Sequence, residues 1–333
     1  MKQPFIDIAI IFKDIDTPFL LETIKQSLMI DYENYIVSLY PDYPVALQTE
    51  SRRVRIIATG EASIPAKRNV ALKNLGASSD FIAFIDADAS PDRFLLKNAI
   101  RYFDTPDIVA VGGPNITPLN EQMSRKISGY VMQQKIGFGS GAIRHKICSS
   151  RYVNELPTCN LMIRAAYARK NFFDESHMIG EDTKYCNDIV TNGFKIFYAA
   201  DVIVYHHRRK AGFPLFRQFY NYGYYKCRSL LNGSVFSKQF VIPSLFFLYV
   251  CLTVILSFFP GFFRLLLMIP LGIYFSIGFI SSLRETGNLI LSFCSAMALF
   301  GCHISYGFGF LKYFLSTCCK PLAAILYKSR KSS

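Results

Sequence analysis

Three long stretches near the C-terminus carry no charged side chain: 239–263 (25 residues), 265–283 (19 residues) and 286–311 (26 residues). As helices rising 1.5 Å per residue, each is long enough to cross a hydrocarbon layer of roughly 30 Å. A core helix of a soluble protein rarely needs so long a charge-free run. The pattern therefore predicts a membrane-attached chain with a transmembrane region over 239–327. Its segments are expected at about 239–260, 265–283 and 288–311, with a short fourth at 313–327 broken by Lys320-Pro321, and a basic tail at 328–333. Three crossings would leave Lys328, Arg330 and Lys331 outside, against the positive-inside rule; a fourth span or a re-entrant segment would return them.

The charge distribution supports this division. The chain of 333 residues has a formal net charge of +13, yet residues 1–201 hold 23 Lys+Arg and 23 Asp+Glu. The surplus begins after Asp201, with seven bases and no acid over 202–238. A nucleic-acid-binding protein would more often carry its basic charge on the folded domain, so no nucleic-acid partner is expected. The chain reads as a neutral globular unit (1–205), a basic, aromatic collar (206–238) and the apolar region. The collar suits a helix lying in the membrane interface against anionic lipids, or a domain helix covering a sheet. Asp7, Asp14 and Asp16 interrupt the first apolar stretch, so no signal peptide is expected and the globular unit should stay in the cytoplasm. Nine cysteines show no CxxC spacing, which suits reduced structural thiols rather than a zinc site.

Within the globular unit, short apolar runs at 6–12, 35–39, 55–58, 81–85 and 108–112 read as strands. Helical patterns separate them, from Pro18 in a first turn to Leu28, then at 65–75 and 93–102. Such alternation predicts a mostly parallel sheet covered by helices on both faces, with ligands at the carboxyl ends of its strands. Further strands are expected at 160–163, 195–198 and 202–205. Between them, 114–157 is rich in Gly, Ser and basic residues and reads as a long functional or disordered segment.

Phe84-Ile85-Asp86-Ala87-Asp88 places two carboxylates one residue apart just beyond a buried strand. Hard divalent ions take such oxygen ligands and bridge them to substrate phosphates, although an acidic turn would look the same. Gly180-Glu181-Asp182 adds a second acidic pair at a helix start, suited to accepting a proton from a hydroxyl or merely to favouring a helix N-terminus. Lys67-Arg68-Asn69 opens another helix, where its cations would face a phosphate or form a solvated first turn.

Taken in order, these elements with His206-His207 after a late strand resemble the family 2 glycosyltransferases of the GT-A fold, over roughly 4–230. Gly137–Arg144 and Arg217-Gln218-Phe219-Tyr220-Asn221-Tyr222-Gly223 make the chain similar to membrane-attached, succinoglycan-type glucosyltransferases. The resemblance implies a cytoplasmic GT-A catalytic domain at 1–205, at a bacterial inner membrane, and Mn²⁺ or Mg²⁺ as cofactor. It implies Asp182 as general base, supported by Glu181. Donor contacts would come from Asp42, Lys67, Arg68, Asn69, Asp86 and Asp88, and metal ligation from Asp88 with His206 and His207. Asn160, Arg217 and Gln218 would contact acceptor or diphosphate. Adjacent strand residues face opposite sides, so at most one of the two histidines can enter the site, leaving the other at the surface.

Two features depart from the family pattern. The second strand ends Tyr40-Pro41-Asp42 rather than in an Asp-Asp pair, leaving Asp42 as sole candidate to read the donor base. The chain contains no Trp, and so lacks the Gln-x-x-Arg-Trp motif of processive synthases; single sugar transfer is expected. The expected reaction is inverting transfer from a nucleotide-sugar donor to a lipid-linked saccharide, a polyprenyl diphosphate derivative, for cell-surface polysaccharide. Polyprenyl phosphate itself as acceptor, or a non-catalytic membrane scaffold, are the alternatives.

Overall fold

The computed structural model describes residues 3–47, 51–177, 179–232, 238–258 and 262–331, without the side chains of 239, 262–264 and 319–331. The helices are α1 (Leu20–Leu28), α2 (Ile64–Lys73), α3 (Leu95–Ile100), α4 (Met123–Gln133), α5 (Lys135–Phe138), α6 (Ala165–Ala168), α7 (Glu181–Thr191), α8 (Phe213–Leu231), α9 (Lys238–Leu256), α10 (Phe262–Thr286) and α11 (Leu289–Lys331). The strands are β1 (Ile6–Ile11), β2 (Tyr35–Tyr40), β3 (Val54–Ile56), β4 (Phe81–Asp86), β5 (Ala89–Pro91), β6 (Ile108–Gly112), β7 (Asn115–Ile116), β8 (Arg151–Val153), β9 (Asn160–Arg164), β10 (Lys195–Tyr198) and β11 (Val204–His206). They divide into two compact units: Met1–Glu121 with Ile143–His207, and Gln122–Ala142 with Arg208–Ser333.

The first unit is built on an eight-stranded sheet in the order β3-β2-β1-β4-β9-β6-β10-β8. The pairs β2–β3, β1–β2, β1–β4 and β6–β10 are parallel; β9 runs antiparallel between β4 and β6, and β8 antiparallel on the edge. Strand alternation decides which side chains meet which helices. Ile6, Ile8 and Ile10 of β1 join Val37, Leu39, Ala83 and Ile85 on one face, under Leu20 and Ile24 of α1 and Leu96 of α3. On the other face Ala9, Ile82 and Phe84 meet Ala71 and Leu72 of α2, Ala168 of α6 and Ile189 of α7. Both faces are covered, which is why these strands read as continuous apolar runs. Truncating a fully buried isoleucine here, Ile8→Ala, is expected to cost about 2–5 kcal/mol.

A second sheet of three short strands, β5-β11-β7, carries the late histidines. Of its strands β11 overlaps the one expected at 202–205, whereas β5 and β7, three and two residues long, escape a sequence reading. Helix α1 also differs from expectation. Pro18 precedes it, and the N-cap is Phe19 with φ 67°, among the described residues the sole non-glycine with positive φ. That conformation costs an L-residue on the order of 1–2 kcal/mol, so neighbouring contacts must hold it.

The second unit is helical. The segment expected as a long loop contributes α4, whose Val131 and Met132 pack with Leu215 and Phe219 of α8 and Leu299 and Cys302 of α11. Helix α8, the collar, buries Leu215, Phe219, Gly223 and Cys227 at four-residue intervals. A Cβ on Gly223 would lie 2.0 Å from the Tyr306 carbonyl oxygen, and one on Gly309 would lie 2.2 Å from that of Tyr220. The two backbones therefore meet at glycines, as in closely packed membrane helices.

Helices Leu265–Thr286 and Leu289–Cys318 are long and apolar enough to cross a membrane, and Phe240–Leu256 is a shorter apolar helix. Positions 313–327 continue α11 without interruption. Residues 332–333 of the basic tail, and the side chains of 328–331, lie outside the described residues.

Candidate active site

The parallel register aligns Ile11 of β1 with Tyr40 of β2 and with Asp86 of β4, so the ends of three strands form one edge. Asp86 closes β4, and the chain turns through Ala87 and Asp88 into β5. Strand β11 pairs antiparallel with β5, setting His206 opposite Ala89. Ligand atoms of Asp86, Asp88 and His206 consequently all lie within 4.8 Å of one another, and His206 Nε2 stands 3.0 Å from Asp88 Oδ1. Two carboxylates and one imidazole make a donor set that suits Mn²⁺ and, through the carboxylates, Mg²⁺.

Asp86 keeps 40 % of its side-chain surface open but is otherwise enclosed by protein. This loss of water is the main cause that raises its pKa above the usual carboxylate range. Arg68 and His206 oppose the rise, whereas Asp88 and Asp182 add to it. Arg68 NH2 approaches Asp86 Oδ1 at 3.8 Å, while its NH1 donates to Glu181 Oε1. One buried guanidinium thus joins the acidic pair of β4 to that of α7.

Gly180, the N-cap of α7, has φ 85°, a conformation that favours glycine although no atom stands within 4 Å of where a Cβ would be. The turn places Glu181 and Asp182 in the first turn of the helix. Glu181 is 9 % exposed and is held by Arg68. Asp182 is half-buried, accepts a bond from the Thr183 N–H at 2.7 Å, and has no ion-pair partner among the described residues. Of the two acids, Asp182 is the one left open.

Helix α2 starts at Ser63, whose hydroxyl accepts from the Ala66 N–H, with Pro65 in the first turn. Its Lys67, Arg68 and Asn69 are all buried, which excludes the solvated first turn. Lys67 Nζ pairs with Asp42 and donates to the Phe12 carbonyl at 2.7 Å. The carboxylate expected to read a donor base is therefore already joined to an ammonium. Asn69 donates to Phe173 O and accepts from Phe173 N, at 2.9 and 2.7 Å, pinning the loop before α7. The Asn160 amide donates to Val202 O and Pro114 O at 2.7 and 3.3 Å, bracing the turn into β11. Asn69 also donates to Glu175 Oε1 at 2.8 Å, whereas the Asn160 bonds go to backbone.

His207 does not join the cluster, nor does it lie at the surface. Its side chain is 9 % exposed, with Nδ1 2.5 Å from Glu121 Oε2 and the ring stacked on Phe19. Arg217 and Gln218 belong to the other unit, in α8, where Gln218 Nε2 donates to the Tyr222 hydroxyl at 2.7 Å. Sequence reasoning missed Thr23 of α1, whose hydroxyl donates to the Ala87 carbonyl at 2.9 Å and holds the turn between the two aspartates. With 64 residues between them, no local pattern could reveal that pair.

A dolichyl N-acetyl-α-D-glucosaminyl phosphate 3-β-D-2,3-diacetamido-2,3-dideoxy-β-D-glucuronosyltransferase of Methanococcus voltae is 25 % identical over 283 residues, covering 79 % of this chain and 77 % of that protein. The succinoglycan biosynthesis protein ExoA of Rhizobium meliloti is 24 % identical over 191 residues, 56 % of each chain. Among solved structures, a mannosyltransferase from Pyrobaculum calidifontis in complex with GDP-Man and Mn²⁺ superposes with a TM-score of 0.56 at 12 % identity. That match covers 92 % of this chain and 87 % of the other, and it extends the likeness to the GT-A fold. The description "glycosyltransferase like family 2" matches residues 15–220, well over half the chain; the protein belongs to that family and is a glycosyltransferase.

Proposed function

We propose that the protein is an inverting, divalent-metal-dependent enzyme that moves one sugar from a nucleotide-diphosphate donor to a saccharide carried on a polyprenyl lipid. The convergence of Asp86, Asp88 and His206 beside the open carboxylate of Asp182 is the observation that carries this reading. Asp86, Asp88 and His206 would hold Mn²⁺ or Mg²⁺. When bound, such an ion supplies positive charge to the diphosphate as the bond to the sugar breaks.

The rest of the chemistry falls to the chain. Asp182 would take the proton of the attacking hydroxyl, a contribution of typically 10²–10⁴-fold. The hydroxyl oxygen bonds to the anomeric carbon as the nucleoside diphosphate departs from the other face, so a single displacement inverts that centre. Arg68 holds Glu181 and so steadies the first turn of α7, from which Asp182 projects.

Several observations support a membrane-held acceptor. Leu265, Leu266, Ile269, Ile273, Ile277 and Ile280 of α10 are exposed, and two helices have membrane-spanning length. The Methanococcus relative is named for transfer onto a dolichyl-linked sugar, and the Rhizobium relative for a polysaccharide. We place the catalytic unit on the cytoplasmic side of a multi-pass protein, with the basic collar at the headgroups. Purified protein incubated with a panel of nucleotide sugars, Mn²⁺ and polyprenyl-linked saccharides tests the reading. NMR of the product should show the anomeric configuration opposite to that of the donor. Retention, or equal activity in excess chelator, would sink it.

A further inference from the structure

Behind the Asp86–Asp88–His206 cluster lies a set of contacts that holds the backbone of two of its residues. His207 follows the last residue of β11, and its side chain meets Glu121 and Phe19, while its backbone N–H donates to the Asp88 carbonyl at 2.9 Å. The imidazole is held on several sides. Nδ1 lies 2.5 Å from Glu121 Oε2, whose side chain is 6 % exposed. Because an ionised carboxylate only accepts, the hydrogen of this bond belongs to the ring. Nε2 points toward Glu22 Oε2 at 3.5 Å. The ring lies flat on Phe19, with centroids 3.8 Å apart and planes within 5°.

Phe19 caps α1 in a left-handed conformation, and the Thr23 N–H donates to its carbonyl at 2.9 Å. The Thr23 hydroxyl in turn holds Ala87 O. Helix α1 therefore grips the Asp86–Asp88 turn twice, directly through Thr23 and indirectly through the Phe19–His207 stack. An unfavourable φ at Phe19 persists where surrounding contacts over-determine it, and this stack is such a contact.

We propose that His207 is a positioning residue: clamped by Glu121 and Phe19, it fixes the backbone of Asp88 and of its neighbour His206, and so sets the spacing of the metal-ligating groups. This rests on the metal reading given above. Groups that orient ligands in this way typically change metal affinity 10- to 100-fold when removed.

The test uses the full chain in detergent. His207→Phe keeps an aromatic ring on Phe19 and removes the bond to Glu121; Glu121→Gln keeps an acceptor for the ring N–H; Asp88→Ala is the metal control. Mn²⁺ alone is titrated, with the free ion read by electron paramagnetic resonance. Backbone hydrogen exchange of peptides spanning 84–91 and 203–208 is followed without metal. His207→Phe should weaken Mn²⁺ binding roughly 10- to 100-fold and speed exchange in both peptides, while Glu121→Gln stays near wild type in both readouts. A folded His207→Phe protein with wild-type affinity overturns the proposal, as does weaker binding without faster exchange. If wild type and Asp88→Ala take up Mn²⁺ equally, the metal reading fails, and the exchange data alone decide whether His207 holds the two segments. Should His207→Phe not fold, Phe19→Leu removes the stack, keeps the polar bond and is judged by the same two readouts.

Discussion

The two units of this protein treat their large aliphatic side chains differently. In the first, isoleucine, leucine and phenylalanine are buried, and the acids of the candidate site stand at the edge of the sheet. In the second, Gln134, Ser244, Ser282, Ser292, Ser295 and His303 are buried, whereas Leu265, Ile269, Ile273 and Ile277 of α10 are 49–60 % exposed. The inner polar groups find one another: Gln134 donates to the Ser282 hydroxyl at 2.7 Å, and the Tyr274 hydroxyl lies 2.9 Å from His303 Nδ1. Water drives apolar side chains inward in the first unit. With α10 and α11 in lipid, as proposed above, that force would vanish and small or polar residues would take the helix contacts, so the same substitution should have different consequences in each unit.

The largest expected effect lies at the sheet edge. Asp182→Asn preserves shape and removes the proton acceptor, and should lower the transfer rate by about 10²–10⁴-fold with an unchanged melting temperature. Asp88→Ala should abolish the Mn²⁺ dependence of whatever activity remains. Near-normal rates in both folded variants would mean that the first unit's exposed acids are surface charge and not machinery.

Next comes a paired test of exposure. Ile269→Lys places a charge on an outward position of α10, and at the centre of a bilayer this costs about 2.5–3.5 kcal/mol. The fraction of protein resisting carbonate extraction from membranes should fall. Leu119→Lys, at a residue 93 % exposed in the first unit, should change stability by no more than about 0.5 kcal/mol. Equal, small effects at both positions would show that lipid does not surround α10.

A smaller effect is expected where helices touch. Gly223→Ala forces a methyl against the Tyr306 carbonyl, and should lower the stability of the detergent-solubilised protein by about 1–3 kcal/mol. Thermal melting followed by circular dichroism checks this, with Gly272→Ala as control, since nothing lies within 4 Å of a Cβ there.

How much of this was legible in the sequence follows from the range of the forces involved. Strands β1, β2, β4 and β6 were legible because both faces are buried and the apolar run is continuous. Asp86-Ala87-Asp88 was legible because its chemistry is local. Helix α4 was not: its buried stripe is only Val131, Met132 and their neighbours, and the partners that bury it come from α8 and α11. The burial of Lys67 and Arg68 was equally hidden, since their counter-charges Asp42 and Glu181 lie 25 and 113 residues away. The sequence could set the two histidines on opposite sides and pair one with a metal by type, but deciding that His206 is the one needed the register of β11 against β5.

The smallest effect separates two uses of a buried acid within the first unit. Asp7, the second residue of β1, is 2 % exposed; it accepts from the Ser38 hydroxyl at 2.6 Å and pairs with Arg55 at 2.7 Å. Burial nonetheless raises its pKa above the usual carboxylate range, outweighing Ser38 and Arg55. An acid with a raised folded-state pKa favours folding while protonated, and that contribution is lost as pH rises through the folded value. Asp7→Asn keeps an acceptor for Ser38 and cannot ionise; Arg55, whose side chain is 32 % exposed, retains water when its partner is gone. The melting temperature of wild type relative to Asp7→Asn should therefore fall as pH is raised from about 4 toward neutrality, and then level off. A difference that grows in favour of wild type over the same range would mean that the Arg55 pair dominates, and that the first unit tolerates a buried charge without cost even where no chemistry requires one.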